Sequence, residues 1–186
     1  MHTLALADVD KTQYMLSLAR KIGFSHTGLF SAKVLSFRQE VRDMCKSGNC
    51  GCYGVRWTCP PYCGTLEESA SKAQRFTSGI LLQMTGEMED DSDKVCIQRT
   101  EQAVKDKLCI FAKRLREQNI DFLPMSAGTC TRCSKCTCPD EPCRFPDEIM
   151  ISMEAYGLIV MDVCAAAGVN YNYGPKTITF TTCVLY

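Results

Sequence analysis

Three cysteines recur at a two-residue spacing, Cys130, Cys133 and Cys136, inside the run GTCTRCSKCTCPDEPCRFPDE. Thiolates are soft metal ligands, and three at this spacing on one irregular loop can reach three corners of an iron–sulfur cubane. The bacterial ferredoxin run places a fourth cysteine three residues on. Here that position is Asp140. The candidates for the fourth ligand are Cys138, a tight chelate two residues from Cys136, and Cys143, which leaves the chain a full loop in which to turn back. The wider loop favours Cys143. Zinc is the competing reading: a four-cysteine zinc site usually draws two CxxC arms from separate turns, often with histidine substituting. The only histidines, His2 and His26, lie outside the cysteine groups, so spacing favours iron–sulfur over zinc. Arg132, Lys135 and Arg144 either offset the charge of a cluster or are solvated loop residues beside Asp140 and Glu141.

A second group lies earlier in the chain: Cys45, Cys50, Cys52, Cys59 and Cys63 in KSGNCGCYGVRWTCPPYCGT. No three of them fall at the two-residue spacing, yet four are enough to close a site. Cys59-Pro60-Pro61 resembles the cysteine–proline endings found near cluster ligands. Trp57 and Tyr53 either wall the site from water, which would tune its potential, or are ordinary core aromatics. With three ligands instead of four, one iron would be open to substrate.

Cysteine usage as a whole frames these two groups. Fourteen of 186 residues are cysteine, and ten of them fall in the two groups. Disulfide scaffolds spread their cysteines more widely, and MHTLALADVD lacks the basic and apolar regions of a signal peptide. The expectation is a cytoplasmic metal protein with no membrane span. Cys96, Cys109, Cys164 and Cys183 stand alone in apolar surroundings and read as core filler. Lys plus Arg (21) cancels Asp plus Glu (21), so the bulk charge does not call for nucleic acid or an anionic membrane.

The elements that must position the cysteines read as follows. A helix capped by Asp8 or Asp10 runs to about Lys21 with Tyr14, Met15, Leu18 and Ala19 on one face, ended by Gly23. A strand over 25–32 and a helix over 35–44 lead into the first cysteine loop, where Gly48, Gly51, Gly54, Pro60, Pro61 and Gly64 leave little regular structure. Thr65 starts a helix to about Phe76, and 79–85 is a buried strand. The acidic stretch 87–93 is a solvated loop or helix start, followed by the longest helix, 94–118. A strand over 122–126 enters the second loop; helices follow over 146–154 and 161–167, the latter stopped by Gly168, and a strand closes the chain over 177–185. The class is α+β, a small mixed sheet with helices and two irregular cysteine loops in one domain over 1–186.

CGCYGVRWTCPPYCG, GTCTRCSKCTCPDEPCRFPDE, SMEAYG and GVNYNYGPKTITF together resemble the cysteine-rich predicted metal-binding family catalogued as domain of unknown function 2284, over nearly the whole chain. The resemblance implies a cytoplasmic protein of anaerobic bacteria or archaea with one or two iron–sulfur clusters, some relatives being associated with corrinoid and methyl-transfer systems. By the family pattern Cys45, Cys50 and Cys59 match the first motif, with Cys63 at a more variable position. Cys130, Cys133, Cys136 and Cys143 match the second, and Cys52 and Cys138 are extras. The opening segment through KIGFSHTGLF is also similar, over a short stretch, to iron–sulfur reductases of the epoxyqueuosine reductase kind. Ser152–Gly157 belongs to the family pattern; it is either a helix beside the second cluster, with Glu154 or Tyr156 as a proton or ligand group, or a helix start whose Met153 and Tyr156 face the core.

The function expected first is electron transfer by two [4Fe–4S] clusters, each on four of Cys45, Cys50, Cys59, Cys63 and of Cys130, Cys133, Cys136, Cys143, to a partner redox or corrinoid/methyl-transfer enzyme. An enzyme with an open cluster iron and a zinc-stapled interaction module are the alternatives. No Ser/His/Asp set or phosphate-cradling glycine loop is present, and two histidines near the N-terminus make imidazole acid–base chemistry improbable.

Overall fold

A computed structural model describes residues 8–47 and 50–186. His2 and Gly48 lie outside the described residues. The chain is α+β, as its pattern indicates, and the sheet is antiparallel throughout rather than mixed, in the order β1-β2-β4-β3.

Helix α1 spans Asp8–Ile22 and buries Met15, Leu18 and Ala19 at helical spacing. Asp8 and Asp10 both lie inside it. Gly23 closes it in the left-handed region at φ 85°, donating to the Ala19 and Arg20 carbonyls. β1 (His26–Ser31) pairs with β2 (Ser78–Glu87), which pairs in turn with β4 (Thr177–Leu185) in the register Leu81↔Cys183. β2 is central and covered on both faces, which is why its apolar run is nearly continuous. Ile80 and Leu82 meet α1 and the long helix α4 (Lys94–Glu117), whose buried stripe is Val104, Leu108, Phe111, Ala112 and Leu115. Leu81 looks the other way, into a second cluster with Met125, Met153, Tyr156, Leu158 and Cys183. Each such fully buried side chain contributes about 1.5–3 kcal/mol.

The elements next to the cysteine loops depart most from the sequence pattern. α2 is Gln39–Lys46, later than 35–44, because Leu35 and Phe37 pack against the core as extended chain. α3 is Leu66–Ala73, begun by a reciprocal cap in which Thr65 and Glu68 each accept the other's backbone N–H. The short β3, Leu123–Met125, pairs with β4. No helix forms over 146–154. There the chain turns, and Ser126 pairs with Ser152 in a parallel bridge, donating to Ile151 and accepting from Met153. The spacing of Met153 and Tyr156 is met by the tight turn that carries both into the core. α5 (Val160–Ala166) ends at Ala167–Gly168, with Gly168 at φ 67°.

Of the four isolated cysteines, Cys96, Cys164 and Cys183 are buried as expected, but Cys109 is exposed. It follows Leu108 by one residue, a 100° step that carries it off the buried stripe of α4. The GVNYNYG segment is tied to the sheet by fully buried Gln83, which donates to Asn170 O (2.9 Å) and accepts from Tyr173 Oη (2.8 Å). His26 stacks on the Tyr173 ring at 3.8 Å, a packing role.

Candidate metal centre

The first cysteine loop is reached through α2, which is fixed to the 152–157 turn. Arg38, its N-cap, donates its backbone N–H to Gly157 O at 2.8 Å. Gly157 has φ 85°, and a Cβ there would meet Leu66 Cδ1 at 2.6 Å and Arg38 O at 2.8 Å. Only glycine fits this crossing. One helical turn on, Arg42 is 6 % exposed. Its Nη2 donates to Gly64 O at 2.6 Å and towards Cys63 Sγ at 3.6 Å, clamping the end of the loop to its beginning. Within the loop, Cys59 N bonds Arg56 O, Gly54 N bonds Pro60 O and Cys63 N bonds Cys59 O.

Cys45, Cys50, Cys59 and Cys63 are electrostatic neighbours. Burial raises the Cys45 thiol, and the charges of Cys50, Glu154 and Cys63 add to it against the opposing Arg42. Burial likewise pushes Cys59 up to about 12, with Cys52, Cys50 and Cys63 contributing. Cys63 is raised by burial against Arg42. Thiolates this close are unfavourable without a cation, so a metal binding here displaces protons.

The second loop follows β3 and is held from α4, where buried Lys105 donates to Thr129 O at 2.7 Å and Arg116 to Asp147 O at 3.1 Å. Cys130, Cys133, Cys136 and Cys143 line one pocket with Trp57, Phe145 and Ile149. Cys138 is buried and does not line it. The enclosed space is about 20 Å³, close to that of one water-sized sphere. At Cys136 burial raises the thiol, but the backbone N–H groups of Cys138 and Trp57 and the Arg56 charge outweigh it, and the net shift is downward. Arg144 Nη1 closes the loop on Lys135 O at 3.0 Å, and Arg132 pairs with Glu148 at 2.7 Å. Both arginines thus have loop-building partners.

The two loops meet. Arg56 of the first donates to Cys130 O of the second at 2.9 Å and lies against the Cys52 thiol, and Trp57 Nε1 donates to Glu141 O at 3.2 Å. Trp57 therefore walls the second site rather than the first, while Tyr53 is 36 % exposed. The Ser152–Gly157 turn is equally displaced from the sequence reading. It lies beside the first group, Glu154 bearing on Cys45 and Tyr156 on Cys63. Arg42 and Arg56 carry no spacing signal of their own. The only mark in the sequence is a cation at a position the helix turns inward.

Among the described residues, three buried side-chain polar atoms have no hydrogen-bond partner: Arg42 Nη1, Thr58 Oγ1 and Glu154 Oε2. Each such atom costs about 1–3 kcal/mol if left so. All three belong to the cysteine loops or to residues packed on them. Among the described residues no three His, Cys, Asp or Glu side chains converge as they stand on a single ion position. The second pocket as it stands encloses too little space for a group larger than one ion, so its lining side chains must shift to admit one. The donor set, five cysteines in each loop with unpaired polar atoms nearby, fits a thiophilic metal group.

An antiparallel sheet presenting two joined, thiol-rich loops defines a small α+β metal-binding protein. The chain belongs to the predicted metal-binding protein family, domain of unknown function 2284, which matches residues 28–186. No curated protein and no solved structure matches it. Among the described residues no helix is long and apolar enough to cross a membrane.

Proposed function

We propose that the protein holds two iron–sulfur clusters, one on Cys45, Cys50, Cys59 and Cys63 and one on Cys130, Cys133, Cys136 and Cys143, and passes single electrons to a partner redox or corrinoid/methyl-transfer enzyme in the cytoplasm. The observation that carries the reading is the second pocket. Four cysteines with a two-residue triple spacing line it, closed by an apolar wall of Trp57, Phe145 and Ile149. A bound cluster supplies one-electron chemistry. The residues around it exclude water on the Trp57 side, and Arg56 sets a positive charge between the loops. Because Arg56 touches both loops, the two centres are neighbours rather than separate stations at opposite ends of the fold.

The narrowness of that pocket favours one other reading, a single zinc ion that only staples the loops together. Replacement of Cys133 by Ser separates the two. Under the electron-transfer reading the variant loses about half of the roughly eight irons expected for two four-iron clusters, together with one of two electron paramagnetic resonance signals. Full retention of iron would remove Cys133 from the ligand set.

A further inference from the structure

Arg42 is a guanidinium closed off from water with no acidic side chain to balance it. It is 6 % exposed, and among the described residues no carboxylate pairs with it. Glu67 on α3, which feels its charge, is itself exposed. Nη2 donates to Gly64 O at 2.6 Å and to Cys63 Sγ at 3.6 Å. Nη1 is buried and donates to nothing. The Cys63 side chain is as deeply buried as its donor. Closing the loop needs only the bond to Gly64 O, so that role leaves the charge and the second nitrogen unexplained. A buried cation is strongly unfavourable unless an anion meets it, and a carbonyl and a neutral thiol carry no charge. Thiolates gathered on a metal do. Four of them outweigh the charge of a divalent ion, and a thiolate-held iron–sulfur cluster is anionic as well.

We propose that Arg42 is the counter-charge of the first metal centre, hydrogen-bonding the Cys63 ligand through Nη2 and offering Nη1 to a second sulfur of the bound group. The inference rests on the reading that the first loop binds metal through Cys63 and its neighbours. A cation and N–H donors at the sulfurs stabilise the more negative, reduced state of such a group, and so raise its reduction potential. Arginine suits the place because one planar fork serves the carbonyl that closes the loop and the sulfurs together, where a lysine carries the same charge as a single point. The bonds of Arg42 go to Gly64 and Cys63 alone, so its charge tunes the first centre and leaves the second to its own surroundings.

The test uses the full chain, purified anaerobically, as wild type, Arg42→Gln and Arg42→Lys, with Cys59→Ser and Cys133→Ser to assign signals to the loops. A redox titration is followed by electron paramagnetic resonance. In Arg42→Gln the first centre is expected to be harder to reduce, its reduced-to-oxidised ratio at a fixed potential falling at least about tenfold, or about 59 mV for one electron. The second centre stays where it was, and Arg42→Lys, which keeps the charge, recovers most of the shift. A loop clamp alone moves no midpoint, so an unshifted first centre in Arg42→Gln would overturn the proposal. An equal shift in both variants would do the same, because it would owe nothing to charge. If Arg42→Gln fails to assemble the first centre, Arg42→Lys decides: assembly with a midpoint near wild type supports the counter-charge, and a missing centre or a shifted midpoint contradicts it. Metal content unchanged by Cys59→Ser would remove the first centre itself, and the inference with it. If wild type contains zinc without sulfide, the iron–sulfur reading falls separately. The counter-charge is then read from zinc release to a chelator. First-loop zinc leaving Arg42→Gln at least about tenfold faster than wild type and Arg42→Lys supports it, and equal rates contradict it.

Discussion

The two cysteine loops use one residue type in opposite settings. In the first, burial raises the thiols of Cys45, Cys59 and Cys63, and unpaired charged atoms of Arg42 and Glu154 stand beside them. In the second, the side chains are mostly half-buried and Cys136 is lowered by backbone N–H groups and Arg56. In the first loop Cys59 and Cys63 are buried while Cys45 is half-buried and Cys50 exposed, so a metal there must draw the side chains together; in the second, four half-buried thiols line one small pocket. The lesson is that thiol count does not define a centre. What differs is the shell: Arg42, on the helix that enters the first loop, and Glu154, far away in sequence, for one, and Arg56 and Trp57, far away in sequence, for the other.

The sharpest break of that contrast comes from Gly157→Val. The valine Cβ collides with Arg38 backbone in a left-handed conformation, at a cost of about 3 kcal/mol or more. It displaces α2 with Arg42 and Cys45, so metal analysis is expected to show first-loop metal lost and second-loop metal kept. Arg56→Gln acts at the join instead. Removing its bond to Cys130 O and its charge beside Cys136 is expected to cost about 1–3 kcal/mol in chemical denaturation and to weaken the second centre more than the first.

Acid separates the loops without mutation. Protons compete with metal for thiolates, and the raised thiols of the first loop hold protons more tightly than lowered Cys136. As pH falls, the first loop is expected to release its metal at a higher pH than the second, followed by absorbance. The metal-free chain responds to base. Its buried thiols are neutral, so stability is full below the ordinary thiol pKa of 9.0 and declines as pH rises through it towards the Cys59 value of about 12. The smallest effect belongs to Cys109→Ser. An exposed thiol outside both loops is expected to change stability by no more than about 0.5 kcal/mol and metal content not at all.

Helix and strand identities were largely legible because Gly23, Thr65 and Gly168 punctuate them and because α4 keeps its stripe over 24 residues. The segment 146–154 was not. An i, i+3 pair such as Met153 and Tyr156 suits a single turn as well as a helix, and the partner that takes its backbone, Ser126, lies 26 residues away from Ser152. Cys143 lines the second pocket and Cys138 does not, an arrangement that the loop length between Cys136 and Cys143 permits. The contact between the loops, and the company that Glu154 keeps, depend on tertiary packing that no local pattern encodes.

The central claim, two unlike thiolate centres in one small fold, is tested most directly by counting iron, acid-labile sulfide and zinc per chain in anaerobically purified protein, with its absorption spectrum. About eight irons and eight sulfides are predicted, with two distinguishable signals on reduction. Zinc without sulfide would contradict the account, leaving the loops as structural staples.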